Sequence, residues 1–93
     1  MAVLARVNNE PAAIVAGSAI GPDLHIDYTG VDPRFRGHGL AVLVKQQAHL
    51  DARAAGATRC LTSNEVDNQG IRRINADLGY QVLHGMYRLR RVL

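Results

Sequence analysis

Several residue types are scarce in this sequence, and their scarcity excludes some kinds of protein. Among 93 residues there is one cysteine and no tryptophan, and aromatic side chains make up 4%. The lone Cys60 excludes an internal disulfide, and no Cys/His spacing predicts zinc, so we expect no metal. The few aromatic residues are not interleaved with basic ones, which does not favour a base-stacking surface for nucleic acid.

The sequence also lacks an apolar run long enough to span a bilayer and a basic-then-apolar leader. We therefore expect a cytoplasmic protein with no membrane partner. The apolar fraction of 47% with 20% charged residues is typical of a globular chain. The length predicts a single domain over residues 1–93, and the net charge of +3 suits an anionic ligand without identifying it.

The hydrophobic pattern predicts strands first and helices later. Apolar and alternating runs predict a meander of three antiparallel strands over 2–7, 12–20 and 24–31, with a turn over 8–11. On the third strand, Leu24, Ile26 and Tyr28 are expected to share one face. Gly17, inside the second strand, is a candidate for a bulge.

Helical spacing begins at residue 40. A first helix is predicted to end at Gly56, with Leu43 and Gln47 in its apolar stripe. A short strand over 57–62 should then pair in parallel with the third strand, because the helix forms a right-handed crossover. A second helix is expected from a cap at Asp67 or Asn68 to Gly79, followed by strands over 80–83 and 86–92.

The most informative segment is 31–41, which reads VDPRFRGHGLA. Gly37 and Gly39 stand directly before the first helix, where glycine lets backbone N–H groups approach an anion and the helix N-terminus adds positive dipole. We interpret residues 36–41 as a pyrophosphate-binding segment, called the phosphate cradle below. The segment has neither the third glycine of a dinucleotide fingerprint nor the Lys-Ser/Thr of a P-loop. A glycine turn that merely precedes a helix is the alternative.

Two later motifs give the cradle a family context. The run Thr62-x-Asn64-x-x-x-Asn68 and the ending Asn75-x-x-Leu78-Gly79-Tyr80 follow it in the chain. Together they resemble the acetyl-CoA-dependent N-acetyltransferase superfamily, GNAT, over residues 24–92. The resemblance implies an α/β (α+β) fold with two main helices. Its sheet would be mixed and mostly antiparallel, with a central parallel pair that splays apart to bind acetyl-CoA.

The resemblance also implies roles for particular residues. Backbone groups near the end of the third strand would contact the pantetheine arm and supply an oxyanion donor, and the phosphate cradle would wrap the pyrophosphate. Asn68 would hydrogen-bond the pantetheine. The residues implied to bind acetyl-CoA are Thr29, Val31, Arg36, Gly37, His38, Gly39, Leu40, Ala41, Asn64 and Asn68.

The chemistry needs a base for the amine and an acid for the thiolate. Asp27 is the candidate base, directly or through water, and His25 is the alternative on the same strand face. A solvated carboxylate is the other interpretation of Asp27. Many family members carry a Tyr acid where this chain has Asn75. Because an amide is not an acid, protonation would need Tyr28, Tyr80, Tyr87 or water.

The chain is short for the family, whose complete members begin with a further strand and two helices. Without them we expect a bare sheet edge, covered by a homodimer or by a completing partner chain. The implied function is transfer of an acetyl group from acetyl-CoA to a primary amine by direct attack in a ternary complex, with the acceptor unidentified. The alternative is a catalytically degenerate module that binds CoA, or keeps the fold, and works with a partner.

Overall fold

The computed structural model describes residues 1–63, 69–82 and 88–93. Its elements, in chain order, are β1 (Ala2–Val7), β2 (Glu10–Ile20), β3 (Asp23–Val31), α1 (Leu40–Ala54), β4 (Arg59–Ser63), α2 (Gln69–Asp77), β5 (Gln81–Val82) and β6 (Arg88–Val92). A one-turn 3₁₀ helix occupies Pro33–Phe35. The expected order of three strands, helix, strand, helix and two strands is confirmed.

The six strands form one sheet in the order β1-β2-β3-β4-β6-β5. Within the described part of the chain, β3 and β4 form its one parallel pair, and the other neighbours are antiparallel. Parallel strands need a long crossover, which α1 supplies between β3 and β4. The predicted mixed sheet with a central parallel pair is therefore confirmed.

The first hairpin turns in fewer residues than predicted. Asn8 and Asn9 both have positive φ, at 51° and 67°, and asparagine tolerates this left-handed region better than most residues. Two such residues complete the turn, so Glu10 already pairs with Val7 and Pro11 lies within β2. The prediction of a turn over 8–11 is wrong at its last two positions.

A bulge interrupts the pairing of β2 with β3. Ala16 pairs with Tyr28 but Gly17 pairs with Ile26, which leaves Asp27 as the extra residue. A Cβ at Gly17 would clash with the backbone carbonyl of His25, so only glycine fits there. The bulge expected at Gly17 is confirmed.

The bulge changes which face of the sheet the following residues occupy. Leu24 and Ile26 are buried, whereas Tyr28 is 60% exposed. Tyr28 pairs with Ala16, and Thr29 pairs with the buried Val15. The prediction that Tyr28 shares a face with Leu24 and Ile26 is wrong, because one inserted residue shifts the alternation by one position.

The parallel pair is short. Its register joins Asp23, Leu24 and His25 of β3 to the first three residues of β4, and β3 then continues to Val31 paired only with β2. Beyond His25, the edge of β3 that faces away from β2 pairs with no strand among the described residues. A strand edge without a neighbour presents backbone N–H and C=O groups that need other partners.

Helix α1 covers one face of the sheet and completes the core. Its buried apolar residues pack against those of the central strands; they are Val44, Ala48 and Ala52 against Val15, Leu24, Ile26 and Cys60. Leu43 and Gln47, predicted in the stripe, are exposed instead. Lys45 and His49 are buried in their place. The buried arc is rotated because α1 packs against Asn75 and Tyr80 as well as against the sheet.

Five polar side chains meet beneath α1 and form what we call the buried polar cluster. The Lys45 amine donates to the side-chain oxygen of Asn75 and lies 5.1 Å from the centroid of the Tyr80 ring. The Tyr80 hydroxyl donates to Sγ of Cys60 at 3.1 Å and is also hydrogen-bonded to Nε2 of His49. Burial lowers the pKa of Lys45 to about 8 and of His49 to about 4, and raises that of Tyr80.

The opposite side of the sheet, which we call the open face, carries no helix within the described ranges. Large apolar side chains are exposed there; they are Leu4 at 45%, Ile20 at 59%, Tyr28 at 60% and Val92 at 74%. Register places Leu4 against Ile14, and Ile14 against Gly30. Neither described helix has the length and apolarity that crossing a bilayer requires.

Acid is expected to destabilise the fold through His49. Because the pKa of His49 falls from 6.5 to about 4, the unfolded chain takes up a proton between these values that the folded protein does not. The free energy of unfolding should therefore decline from about pH 6.5 to about pH 4, by about 2 kcal/mol. Urea unfolding across this range measures the decline. His49→Gln should flatten it and His25→Gln should not, and an unchanged decline in His49→Gln would contradict the assignment.

Candidate functional site

A cleft opens where β3 leaves β4. Its volume is about 630 Å³, and five parts of the chain line it: the free end of β3, the 3₁₀ turn, the loop over 36–39, the first turn of α1 and one residue of α2. The lining residues are Tyr28, Thr29, Gly30, Val31, Phe35, Arg36, Gly37, Gly39, Leu40, Ala41, Val42 and Ile74. The cleft thus joins an unpaired strand edge to a helix N-terminus.

Two arginines near the cleft differ in their partners. Asp32 caps the 3₁₀ turn by accepting from the Arg34 backbone N–H at 2.9 Å. The Arg34 guanidinium pairs with Asp32 at 3.3 Å and with Glu10 at 3.0 Å, and it holds the pKa of Asp32 below its ordinary value. The charge of Arg34 is therefore balanced locally, and Arg36 is the arginine that lines the cleft.

The glycines of the phosphate cradle have the backbone that the sequence pattern indicates. Gly37 and Gly39 have φ of 84° and 74°, a region that favours glycine, and a Cβ at either would meet open space. Gly39 is the N-cap of α1 and makes no side-chain cap hydrogen bond. The first N–H groups of α1 are thus uncapped beside the cleft, with the positive end of the helix dipole. This arrangement fits an anion.

The structure brings most of the predicted binding residues together. Those that line the cleft are Thr29, Val31, Arg36, Gly37, Gly39, Leu40 and Ala41. His38 is exposed between the two lining glycines, and Asp27 is exposed at the bulge beside Tyr28, so neither is part of the lining. Asn64 and Asn68 lie outside the described residues.

Sequence reasoning did not place three lining residues in the site: Phe35, Val42 and Ile74. It named Tyr28 as one of several candidate acids, and it included Gly30 only in the backbone stretch 29–31. Tyr28 reaches the cleft because its side chain lies over Gly30, where a Cβ would clash with the phenol. A glycine two residues after an aromatic residue on a strand was the available signal. Ile74 carried no signal, since only the packing of α2 brings it to the cleft.

The structure separates the candidate acids. Asn75 and Tyr80 are buried in the polar cluster and do not line the cleft. Tyr87 lies outside the described residues. Of the two tyrosines that the structure describes, Tyr28 is the one in the cleft. Within the same residues, no group of three or more His, Cys, Asp or Glu side chains is placed to hold a metal ion.

A family model described as "Acetyltransferase (GNAT) family" matches residues 1–80. This chain belongs to the GNAT acetyltransferase family. No curated protein matches the sequence.

Solved structures share the fold at low sequence identity. The PaiA N-acetyltransferase from Thermoplasma acidophilum, in complex with coenzyme A, has a TM-score of 0.90 at 8% identity over 100% of this chain and 60% of its own. The IAA acetyltransferase from Bacillus cereus has a TM-score of 0.88 at 11% identity, and the match covers 99% of this chain and 77% of that protein. Ard1 from Thermoplasma volcanium has a TM-score of 0.85 at 17% identity, and the match covers 94% of this chain and 66% of Ard1. The GNAT chain described here therefore spans about 60 to 77% of these structures.

Proposed function

We propose that this GNAT chain transfers an acetyl group from acetyl-CoA to a primary amine by direct attack in a ternary complex. The observation that carries the proposal is the cleft, where the free edge of β3 meets the uncapped N-terminus of α1. A free strand edge suits the amide groups of the pantetheine arm, and a helix N-terminus suits the pyrophosphate. The strand edge and the helix N-terminus line one opening, which supports binding of both parts of acetyl-CoA.

The lining residues would divide between the two parts of acetyl-CoA, the pantetheine arm and the pyrophosphate. Thr29 and Val31 would offer backbone groups to the pantetheine arm, and Arg36 would pair with a phosphate through its guanidinium. The cradle residues Gly37, Gly39, Leu40 and Ala41, with His38 between them, would surround the pyrophosphate, chiefly through N–H groups. Asn64 and Asn68 keep the pantetheine roles that the family resemblance implies.

Residues at and after the bulge would carry the chemistry. A backbone N–H between Thr29 and Val31 would stabilise the oxyanion formed when the amine attacks the thioester carbonyl. Asp27 would take the proton that the amine loses, directly or through water. As the C–S bond breaks, Tyr28 would give its phenolic proton to the leaving thiolate and recover one from solvent. Acetylated amine and CoA are the products.

The open face supports a second candidate function. Its exposed Leu4, Ile20 and Val92 form apolar surface that a second copy or a completing partner chain would cover. A chain whose acceptor site is formed with a partner would bind acetyl-CoA alone yet transfer the acetyl group only in the complex. This is the module interpretation, in which the fold and cofactor site persist without independent catalysis.

Turnover distinguishes the two candidates. The purified chain is expected to bind acetyl-CoA in calorimetric titration and to release free thiol with at least one acceptor among a polyamine, a lysine peptide and a peptide with a free N-terminus. Binding without thiol release for every acceptor would favour the module that works with a partner. A folded chain that binds no acetyl-CoA would contradict both.

Gly39→Glu is expected to abolish acetyl-CoA binding. The carboxylate would occupy the cradle, repel the pyrophosphate and strain a backbone with φ of 74°. Gly21→Glu is the matched control, because Gly21 also has positive φ, at 57°, and open space around its Cβ, but lies in the β2–β3 turn. Calorimetric titration of both variants is the measurement. Retained binding in Gly39→Glu, or equal loss in Gly21→Glu, would speak against the cradle.

Asp27→Asn and Tyr28→Phe are expected to lower kcat by about 100-fold each while leaving the Kd for acetyl-CoA unchanged. Each substitution keeps the shape of the side chain but removes its proton acceptor or donor. Asp51→Asn, an exposed carboxamide substitution on α1, is the control and should keep full kcat. If either substitution at the bulge leaves kcat intact, water takes that role instead.

A further inference from the structure

Lys45 is a buried titratable group that the proposed chemistry does not use. Its side chain is 0% exposed in the middle of α1, where its amine donates to Asn75 and lies 5.1 Å from the Tyr80 ring centroid. In the described part of the chain, no carboxylate pairs with it. Burying an ammonium without an ion pair costs desolvation free energy, and a methionine would fill similar space without that cost. We therefore looked for a role of the Lys45 charge other than packing.

Lys45 lies directly behind the cleft. Leu40, Ala41 and Val42, one turn earlier on α1, line it, as does Ile74, the neighbour of Asn75 on α2. Helical side chains point back toward the N-terminus of their helix. Residue 45 is roughly 8 Å along the helix axis from residue 40. Its amine is held by Asn75, the chain neighbour of the cleft-lining Ile74.

The groups around Lys45 keep their charge state near neutral pH. His49 on α1 stays neutral because its pKa falls to about 4, and burial raises the pKa values of Cys60 on β4 and of Tyr80. Arg91 on β6 donates to the Leu78 carbonyl at 2.7 Å. Burial lowers the pKa of Lys45 to about 8, so Lys45 is the member of this cluster that titrates just above neutral pH.

We propose that the buried charge of Lys45 strengthens the binding of the phosphate groups of acetyl-CoA at the cradle. The inference rests on the proposed function. The Lys45 side chain is 0% exposed, so salt screens its charge less than it screens the charge of a surface lysine. At a separation of roughly 10 Å and an effective dielectric constant of about 20, one charge changes affinity for an anion by about tenfold.

The inference predicts a direction for the pH dependence. An anion at the cradle favours the charged form of Lys45, so binding should raise its pKa above about 8. The affinity for acetyl-CoA should be full below that pH and should fall by about tenfold as the pH rises through it. The buried thiol and phenol stay protonated over this interval because their pKa values are raised.

Calorimetric titration of three proteins tests the inference: the unaltered chain, Lys45→Met and Arg53→Met. Arg53→Met is the matched control, because it also removes one positive charge from α1, at an exposed position in the last turn. At about pH 7, Lys45→Met should bind acetyl-CoA about tenfold more weakly, with no further fall at about pH 9. Arg53→Met should match the unaltered chain at both pH values. Acetyl-pantetheine, which lacks the phosphates, should bind Lys45→Met and the unaltered chain equally.

The possible outcomes distinguish a failure of the Lys45 inference from a failure of the proposed function. Equal acetyl-CoA affinity in Lys45→Met and the unaltered chain would overturn the inference, and so would an equal loss for acetyl-pantetheine, because that loss would reflect altered packing. If Lys45→Met does not fold, the pH dependence of the unaltered chain decides, and affinity that does not fall between about pH 7 and about pH 9 overturns the inference. A folded unaltered chain that binds no acetyl-CoA would instead overturn the proposed function.

Discussion

The divergence of β3 from β4 is the constraint on which the rest of this structure depends. Their register joins three residues of each strand, and β3 then continues to Val31 without β4 beside it. The extra residue Asp27 is accommodated because Gly17, across the strand pair, has no Cβ to clash with the β3 backbone. The free peptide groups, the cleft and the proposed oxyanion donor all follow from this one irregularity.

The same bulge determines that the two candidate catalytic side chains lie outside the core. Asp27 and Tyr28 turn away from the core, and the Tyr28 ring lies over Gly30 at the edge of the cleft. In a regular strand Tyr28 would have joined Leu24 and Ile26 in the core, and the cleft would have lost its phenol. A backbone defect of one residue therefore places both the candidate base and the candidate acid.

The buried polar cluster fixes the helices that form the other side of the cleft. Asn75 stands where the family often carries a tyrosine acid, but here its amide holds the Lys45 amine in the interior. Tyr80 is likewise engaged with Cys60 and His49. A satisfied polar network in a low-dielectric interior restricts the packing of α1 against α2, because each member depends on its partners. The wall of the cleft formed by Ile74 depends on that packing.

Much of the fold and part of the candidate site could be predicted from the sequence. Apolar runs, turn residues and the glycines before α1 act through local backbone preferences, so strand order, the parallel crossover and the cradle were predictable without coordinates. The exposure of Leu43 and Gln47, the burial of Lys45 and His49, and the face of Tyr28 were not. These depend on which surfaces α1 meets and on a register shift between strands distant in sequence.

Backbone conformation could be predicted from the sequence and side-chain environment could not, for a physical reason. Local sterics and hydrogen bonding restrict φ and ψ residue by residue, so the amino-acid sequence by itself determined where the chain turns and where a helix N-terminus meets two glycines. The environment of a side chain depends on contacts between elements, and these exist only once the sheet and helices have packed. Tertiary structure alone therefore decided that Tyr28 faces the cleft and that a lysine lies behind it.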